Sequence, residues 1–254
     1  MSDKDLFPQF YTDKNVGPGD YKHFDKDTLW VSKIFDTIQG EGPFAGTPAT
    51  FIRLAGCNRG DKKTMGCQFC DTDFRFGMGT EMTFRAIIKN CNKNLVVITG
   101  GEPMIQNNLT DFLYKYCMNW EMQIESNGDR FAKLFIPHLR LNNVTLVISP
   151  KVTKGKYKPL KPEILKRANY LKFLIDSRPE SPYYNPPHWN YPADQIYLSP
   201  ITVYKHQPPS PVSMWDQSFI DHEATSLNYR RAAQLAMEYD YRVSLQTHLF
   251  LGLE

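Results

Sequence analysis

Long apolar runs are missing from this sequence of 254 residues. None approaches the roughly 20 residues that a membrane-spanning helix needs, so no helical membrane span is expected. The opening stretch MSDKDLFPQFYTDKN is polar and acidic. It lacks the apolar core of a secretory signal, so a cytoplasmic protein is expected. Charge of one sign is also missing: 30 Lys+Arg against 27 Asp+Glu leave a net +3. That is no electrostatic footprint of a nucleic-acid binder. Repeats and low-complexity tracts are absent, which argues against a solenoid. Cysteine is scarce and odd in number, at five, which disfavours a disulfide framework. Two of the five form a C-x-x-C, which in a reducing compartment favours metal or redox chemistry.

What is present is ordinary for a globular chain: 41% hydrophobic and 22% charged residues. Residues 1–28 read as a polar N-terminal extension. Residues 29–254 read as a single core domain with loop insertions at 58–66 and 177–215. Short apolar runs at 49–54, 95–99, 122–125, 144–149, 171–175 and 195–199 have the make-up of strands buried on both faces. Helical stretches fall near 83–92, 108–119, 161–168 and 226–239, and 130–140 is ambiguous. This alternation predicts an α/β fold with a parallel sheet or barrel. SRPESPYYNPPHWNYP (177–192) and HQPPSPVSMW (206–215) are rich in proline and aromatics. They read as ordered surface loops or partner-contact segments. The basic stretch 151–167 reads as a solvated loop and helix face, or as a site for an anionic ligand.

Several strand-like runs end in polar or Gly/Pro residues. Residues 95–99 lead to Gly100, Gly101 and Glu102, and 122–125 to Ser126 and Asn127. Residues 144–149 lead to Pro150 and Lys151, 171–175 to Asp176 and 195–199 to Pro200. In parallel α/β folds ligands bind at such C-terminal strand ends. Turn-forming chemistry explains the glycines and prolines but not the recurring charged residues.

The segment GCNRGDKKTMGCQFCDTDF (56–74) holds Cys57, Cys67 and Cys70. A zinc site normally takes four ligands. Cys91 and Cys117 fall on expected helices without ribbon-like spacing. A zinc-stapled binding module stays open as one reading. Three thiolates suit a 4Fe-4S cluster with one iron left open for S-adenosylmethionine.

The chain resembles the radical S-adenosylmethionine superfamily, and within it the 7-carboxy-7-deazaguanine synthase family. The resemblance runs from about residue 33 to the C-terminus. It rests on IFDTIQGEGPFAGTPATFIRLAGC, CQFCDTDF, TGGEP, ESNG, SPK and SLQTHLFLG, in that order. Nine residues separate Cys57 from Cys67, where the superfamily usually has three. The inserted NRGDKKTMG is polar and can form a loop while the sulfurs still converge.

The resemblance implies a partial parallel β/α barrel of the TIM-like, radical S-adenosylmethionine type. It implies ring contraction of 6-carboxy-5,6,7,8-tetrahydropterin to 7-carboxy-7-deazaguanine with loss of ammonia, in queuosine-type deazapurine biosynthesis. The implied cofactors are a 4Fe-4S cluster on Cys57, Cys67 and Cys70, S-adenosylmethionine, and Mg²⁺ with Thr72 as ligand. Phe69, Asp71, Gly101, Glu102, Glu125, Ser126, Asn127, Ser149, Pro150 and Lys151 are the implied cofactor contacts. Ile38, Gln39, Gly40, Glu41, Arg53, Thr99, Gln246 and His248 are the implied substrate contacts. A flavodoxin- or ferredoxin-like electron donor and a homodimer are implied as partners. Another radical S-adenosylmethionine enzyme, such as a glycyl-radical activating enzyme, stays open as an alternative.

Overall fold

The computed structural model describes residues 27–59, 67, 79–130, 142–205 and 216–253. These fall into two compact units. The first holds the described residues up to Asp36 and those within Ala49–Ser126 and Arg130–Thr145. The second holds those within Thr37–Pro48, Asn127–Asp129 and Leu146–Glu254.

In the first unit the strands are β1 (Thr28–Ile38), β2 (Pro48–Leu54), β3 (Thr80–Thr83), β4 (Leu95–Gly100) and β5 (Glu121–Ser126), ordered β5-β4-β2-β1-β3. β2 runs parallel to β4, and β4 to β5. β3 pairs antiparallel with β1. Ile52, Leu54, Val96, Val97 and Ile98 are all wholly buried, so successive residues of β4 face apolar layers on both sides of the sheet. Helices α1 (Phe84–Lys89) and α2 (Leu109–Tyr116) supply part of one layer. α2 buries Leu109, Phe112 and Leu113, one helical face. The Phe84 and Phe112 rings meet edge to face at 5.3 Å.

The 83–92 and 108–119 expectations run past the ends found. Asn90 closes α1 with its N–H on the Ile87 and Ile88 carbonyls. Cys91 and Cys117 therefore lie just beyond the last helical residues, not on the helices as expected. Gln106 is a buried polar lock. Its amide accepts from the Trp30 N–H at 2.9 Å and donates to the Trp30 and Ala55 carbonyls at 2.9 and 3.0 Å.

In the second unit β6 (Val144–Ile148), β9 (Tyr170–Ile175), β10 (Ile196–Pro200) and β11 (Arg242–Val243) are ordered β11-β10-β9-β6 and run parallel. β7 (Val152–Thr153) and β8 (Lys156–Tyr157) form a separate hairpin. The helices are α3 (Pro162–Arg167), α4 (His222–Tyr239) and α5 (Thr247–Phe250). α4 starts earlier than the expected 226, because the Asp221 carboxylate caps it by accepting from the Ala224 N–H at 3.0 Å.

The fold expectation holds in its class: a mixed α/β chain whose sheet strands are mostly parallel. The basic stretch 151–167 forms β7, β8 and α3, with Lys154, Lys156, Lys158 and Lys161 exposed. The 130–140 stretch lies outside the described residues beyond Arg130.

Candidate active site

The first unit gathers several of the expected site residues at the C-terminal ends of its parallel strands. Arg53 and Thr99 are register partners on β2 and β4. The Thr99 hydroxyl lies 3.5 Å from the Glu125 carboxylate on β5. Arg53, Thr99 and Glu125 thus form a row across three adjacent strands. The Arg53 guanidinium stands over the Phe35 ring at 5.0 Å, a cation–π contact that fixes its plane. Glu125 also accepts from the fully buried Gln123 amide at 2.8 Å. Such a row offers a planar cationic fork that suits a carboxylate, beside a hydroxyl and an acceptor carboxylate.

The loop after β4 is fastened to the loop after β2. The Gly101 N–H donates to the Leu54 carbonyl at 3.2 Å and the Glu102 N–H to the Gly56 carbonyl at 2.8 Å. Gly100 has φ +138, and a Cβ there would stand 2.1 Å from the Leu54 oxygen, so only glycine fits. These bonds set the backbone one residue before Cys57. The Glu102 carboxylate is wholly buried and accepts from the Met104 N–H at 3.0 Å and the Ser126 hydroxyl at 2.7 Å.

Cys57 and Cys67 are half-buried, and neither is in a disulfide. Cys70, Phe69, Asp71 and Thr72 lie outside the described residues. Among the described residues no three His, Cys, Asp or Glu side chains converge as a metal site. The remaining cysteines are chemically quiet. Burial, helped by the Asp36 charge, pushes the Cys91 thiol up to about 11. Burial also raises Cys117.

The second unit folds two distant motifs together. The loop at 39–42 docks on the C-terminal run 244–248. The Thr247 N–H and hydroxyl both donate to the Gly40 carbonyl at 3.1 Å. The Gly42 N–H donates to the Ser244 hydroxyl at 2.8 Å. A Cβ on Gly40 would stand 1.9 Å from His248 Nδ1, so the imidazole lies directly on bare backbone. Gln39 is buried and accepts from the Glu41 N–H at 3.0 Å. Gln246 accepts from the Thr202 hydroxyl at 2.6 Å. The Glu41 carboxylate forms an ion pair with Lys172 of β9. Ser149 is buried and accepts from the Lys151 ammonium at 2.8 Å, with Pro150 between them.

No protein-family model matches the chain. Curated relatives do. The 7-carboxy-7-deazaguanine synthase of Rickettsia prowazekii is 36% identical, the match covering 91% of each chain. That of Rhodospirillum rubrum is 30% identical, over 90% of this chain and 94% of its own. The chain belongs to the 7-carboxy-7-deazaguanine synthase family. It is therefore a lyase that acts on a small molecule. Its fold is shared with the crystal structure of QueE from Escherichia coli, at TM-score 0.59 and 24% identity over 86% of this chain.

The expected site residues divide between the two units. Arg53, Thr99 and Glu125 share the strand-end row, with Gly101, Glu102 and Ser126 in the same unit. Ile38, Gln39, Gly40, Glu41, Gln246 and His248 lie in the other unit, with Asn127, Ser149, Pro150 and Lys151. Asn127 accepts from the Asp129 N–H at 2.8 Å, closing its own turn. Asp176 is structural: its buried carboxylate is bound by Arg178. Sequence reasoning missed Lys172 and Ser244. Lys172 left one signal, a lysine inside the apolar strand YLKFLI; Ser244 left none.

Proposed function

We propose that the chain converts 6-carboxy-5,6,7,8-tetrahydropterin to 7-carboxy-7-deazaguanine, with loss of ammonia. The observation that carries this reading is the docking of residues 39–42 on 244–248. They belong to IQGEG and SLQTH, two of the motifs that carry the family resemblance, and they build one structure.

Cys57, Cys67 and Cys70 hold the 4Fe-4S cluster. The two described thiols are partly accessible and outside any disulfide, and thiolate is the donor such clusters need. Reduced by a flavodoxin- or ferredoxin-like donor, a cluster held there would supply the electron for reductive cleavage of bound S-adenosylmethionine. Gly101, Glu102, Ser149, Pro150 and Lys151 bind the cofactor, with Glu125, Ser126 and Asn127 toward its ribose. Phe69 and Asp71 contact the adenine. Glu102 is preorganised for such a role, because Ser126 and the Met104 N–H fix its carboxylate. Thr72 supplies a hard oxygen to Mg²⁺.

Arg53 orients the substrate carboxylate through its guanidinium fork. Gln39 and Glu41 take the polar edge of the pterin, which carries both donors and acceptors. His248, held against Gly40, offers a ring nitrogen to the substrate. Residues 29–254 work as one catalytic core, with insertions at 58–66 and 177–215. The chain acts in the cytoplasm as a homodimer.

The test is anaerobic. The cluster is reconstituted, and 6-carboxytetrahydropterin, S-adenosylmethionine, Mg²⁺ and a reductant are added. The expected result is 7-carboxy-7-deazaguanine with no net consumption of S-adenosylmethionine. An intact, reducible cluster that yields no such product overturns the reading.

A further inference from the structure

Lys172 sits in the middle of β9, whose sequence YLKFLI is otherwise without charge. The residue is only 7% exposed. An ammonium buried in a strand carries a desolvation penalty of several kcal/mol, and an apolar residue of similar volume is often no worse for stability. Packing of β9 therefore gives no reason for a lysine here. What the lysine meets is the Glu41 carboxylate, and the two side chains are 9% and 14% exposed.

Glu41 is also fixed at its backbone. Its N–H donates to Gln39 Oε1, and the next N–H, that of Gly42, donates to Ser244. The preceding carbonyl, of Gly40, accepts from Thr247. The loop is pinned on both sides of Glu41, and Lys172 takes the carboxylate itself through Oε2. A carboxylate has about four lone-pair sites. A single ammonium on one oxygen orients it and still leaves capacity to accept from a ligand.

We propose that Lys172 is a positioning residue for substrate recognition. Its ammonium holds the Glu41 carboxylate where it receives the amino and ring N–H groups of the pterin. This rests on the reading of residues 39–42 as the pterin-binding loop. Lys172 acts through Glu41 and does not touch the reacting atoms.

The experiment compares K172M, K172R, E41Q and K172M/E41Q in the full chain with its cluster reconstituted. Calorimetry gives the Kd of 6-carboxytetrahydropterin and, separately, of S-adenosylmethionine; thermal melts report folding. K172M is expected to weaken pterin binding about tenfold or more, the scale of a lost charge-assisted contact. S-adenosylmethionine affinity stays within about twofold in every variant. K172R restores most of the pterin affinity. K172M/E41Q binds pterin no more weakly than E41Q alone, because the two residues act as one unit.

Wild-type pterin affinity in K172M, alongside a tenfold loss in E41Q, overturns the proposal while leaving the loop's role intact. Wild-type affinity in both K172M and E41Q overturns the loop reading and the proposal with it. Should K172M fail to fold, K172M/E41Q leaves no lone buried charge and carries the comparison with E41Q. Equal affinity then supports the proposal, and a further several-fold loss defeats it.

Discussion

A methyl group at residue 100 would stand 2.1 Å from the Leu54 oxygen, on a backbone at φ +138. Neither the carbonyl nor the backbone angle can yield cheaply. Gly100→Ala is expected to cost about 2–4 kcal/mol of stability, read as a lower denaturant midpoint. Gly40 differs, because the atom in its way belongs to a side chain, His248. Gly40→Ala is expected to leave the melt almost unchanged and to displace the imidazole, raising the KM for the pterin. A large loss of stability with normal KM would contradict that assignment. The cysteines separate in the same way. With its thiol pushed up to about 11, Cys91 holds only on the order of one part in a thousand thiolate at pH 8. Alkylation of cluster-free protein at that pH should label Cys57 and Cys67 first, with Cys91 and Cys117 last. Mass spectrometry of the digested protein gives the order. At this scale the sequence exposed residues whose chemistry is rare in their setting, such as the clustered cysteines. It hid Lys172 and Ser244, whose partners lie 131 and 202 positions away in the chain.

The Pro- and aromatic-rich segment 177–192 is an ordered loop, one of the two readings its composition allowed. Tyr183 packs edge-on against Tyr157 at 5.7 Å and Trp189 against Phe173 at 5.3 Å. The Tyr184 ring lies 4.0 Å below the Arg231 guanidinium. Asp176 anchors its start. Its N–H donates to the Tyr183 carbonyl, and its carboxylate accepts from both the backbone and the guanidinium of Arg178. Burial alone would raise the Asp176 pKa; the Arg178 and Ser181 hydrogen bonds outweigh it and hold the group below the usual carboxylate value. A depressed folded pKa stabilises above the unfolded value of about 3.9 and loses that contribution as pH falls through the folded one. The stability gap between wild type and Asp176→Asn should therefore be full at neutral pH and shrink below about pH 4. Denaturation at several pH values checks this. Elements of this chain were legible where one environment rules a whole run. Strands β2, β4, β5, β6, β9 and β10 match their apolar runs to within a residue or so at each end, because both faces are buried. β1 escaped because its second half is only partly buried and mixes polar with apolar residues. β7, β8 and β11 are two residues long, too short for any period to show.

The whole molecule differs from a metal-stapled module in where its cohesion comes from. Each unit has its own packed layers: Ile52, Val97, Ile98, Phe84 and Phe112 in one, and Leu171, Phe173, Ile196, Leu198 and Leu235 in the other, all at most 1% exposed. Burying a large aliphatic or aromatic side chain is worth about 1.5–3 kcal/mol, so ten such residues far outweigh any single ligand bond. Cys57 and Cys67 contribute little to those layers, being half-buried. Small zinc modules behave oppositely: the metal supplies the folding free energy and the apo chain is unfolded. Replacing Cys57, Cys67 and Cys70 together by alanine should therefore leave far-UV circular dichroism unchanged and the melt cooperative. The same variant should lose the iron–sulfur absorbance and all product formation. A triple variant with the spectrum of an unfolded chain would mean that the metal holds the fold together. Retained pterin binding in the folded variant would locate recognition in the loop at 39–42 and its partners at 244–248, a cluster built without the cysteines.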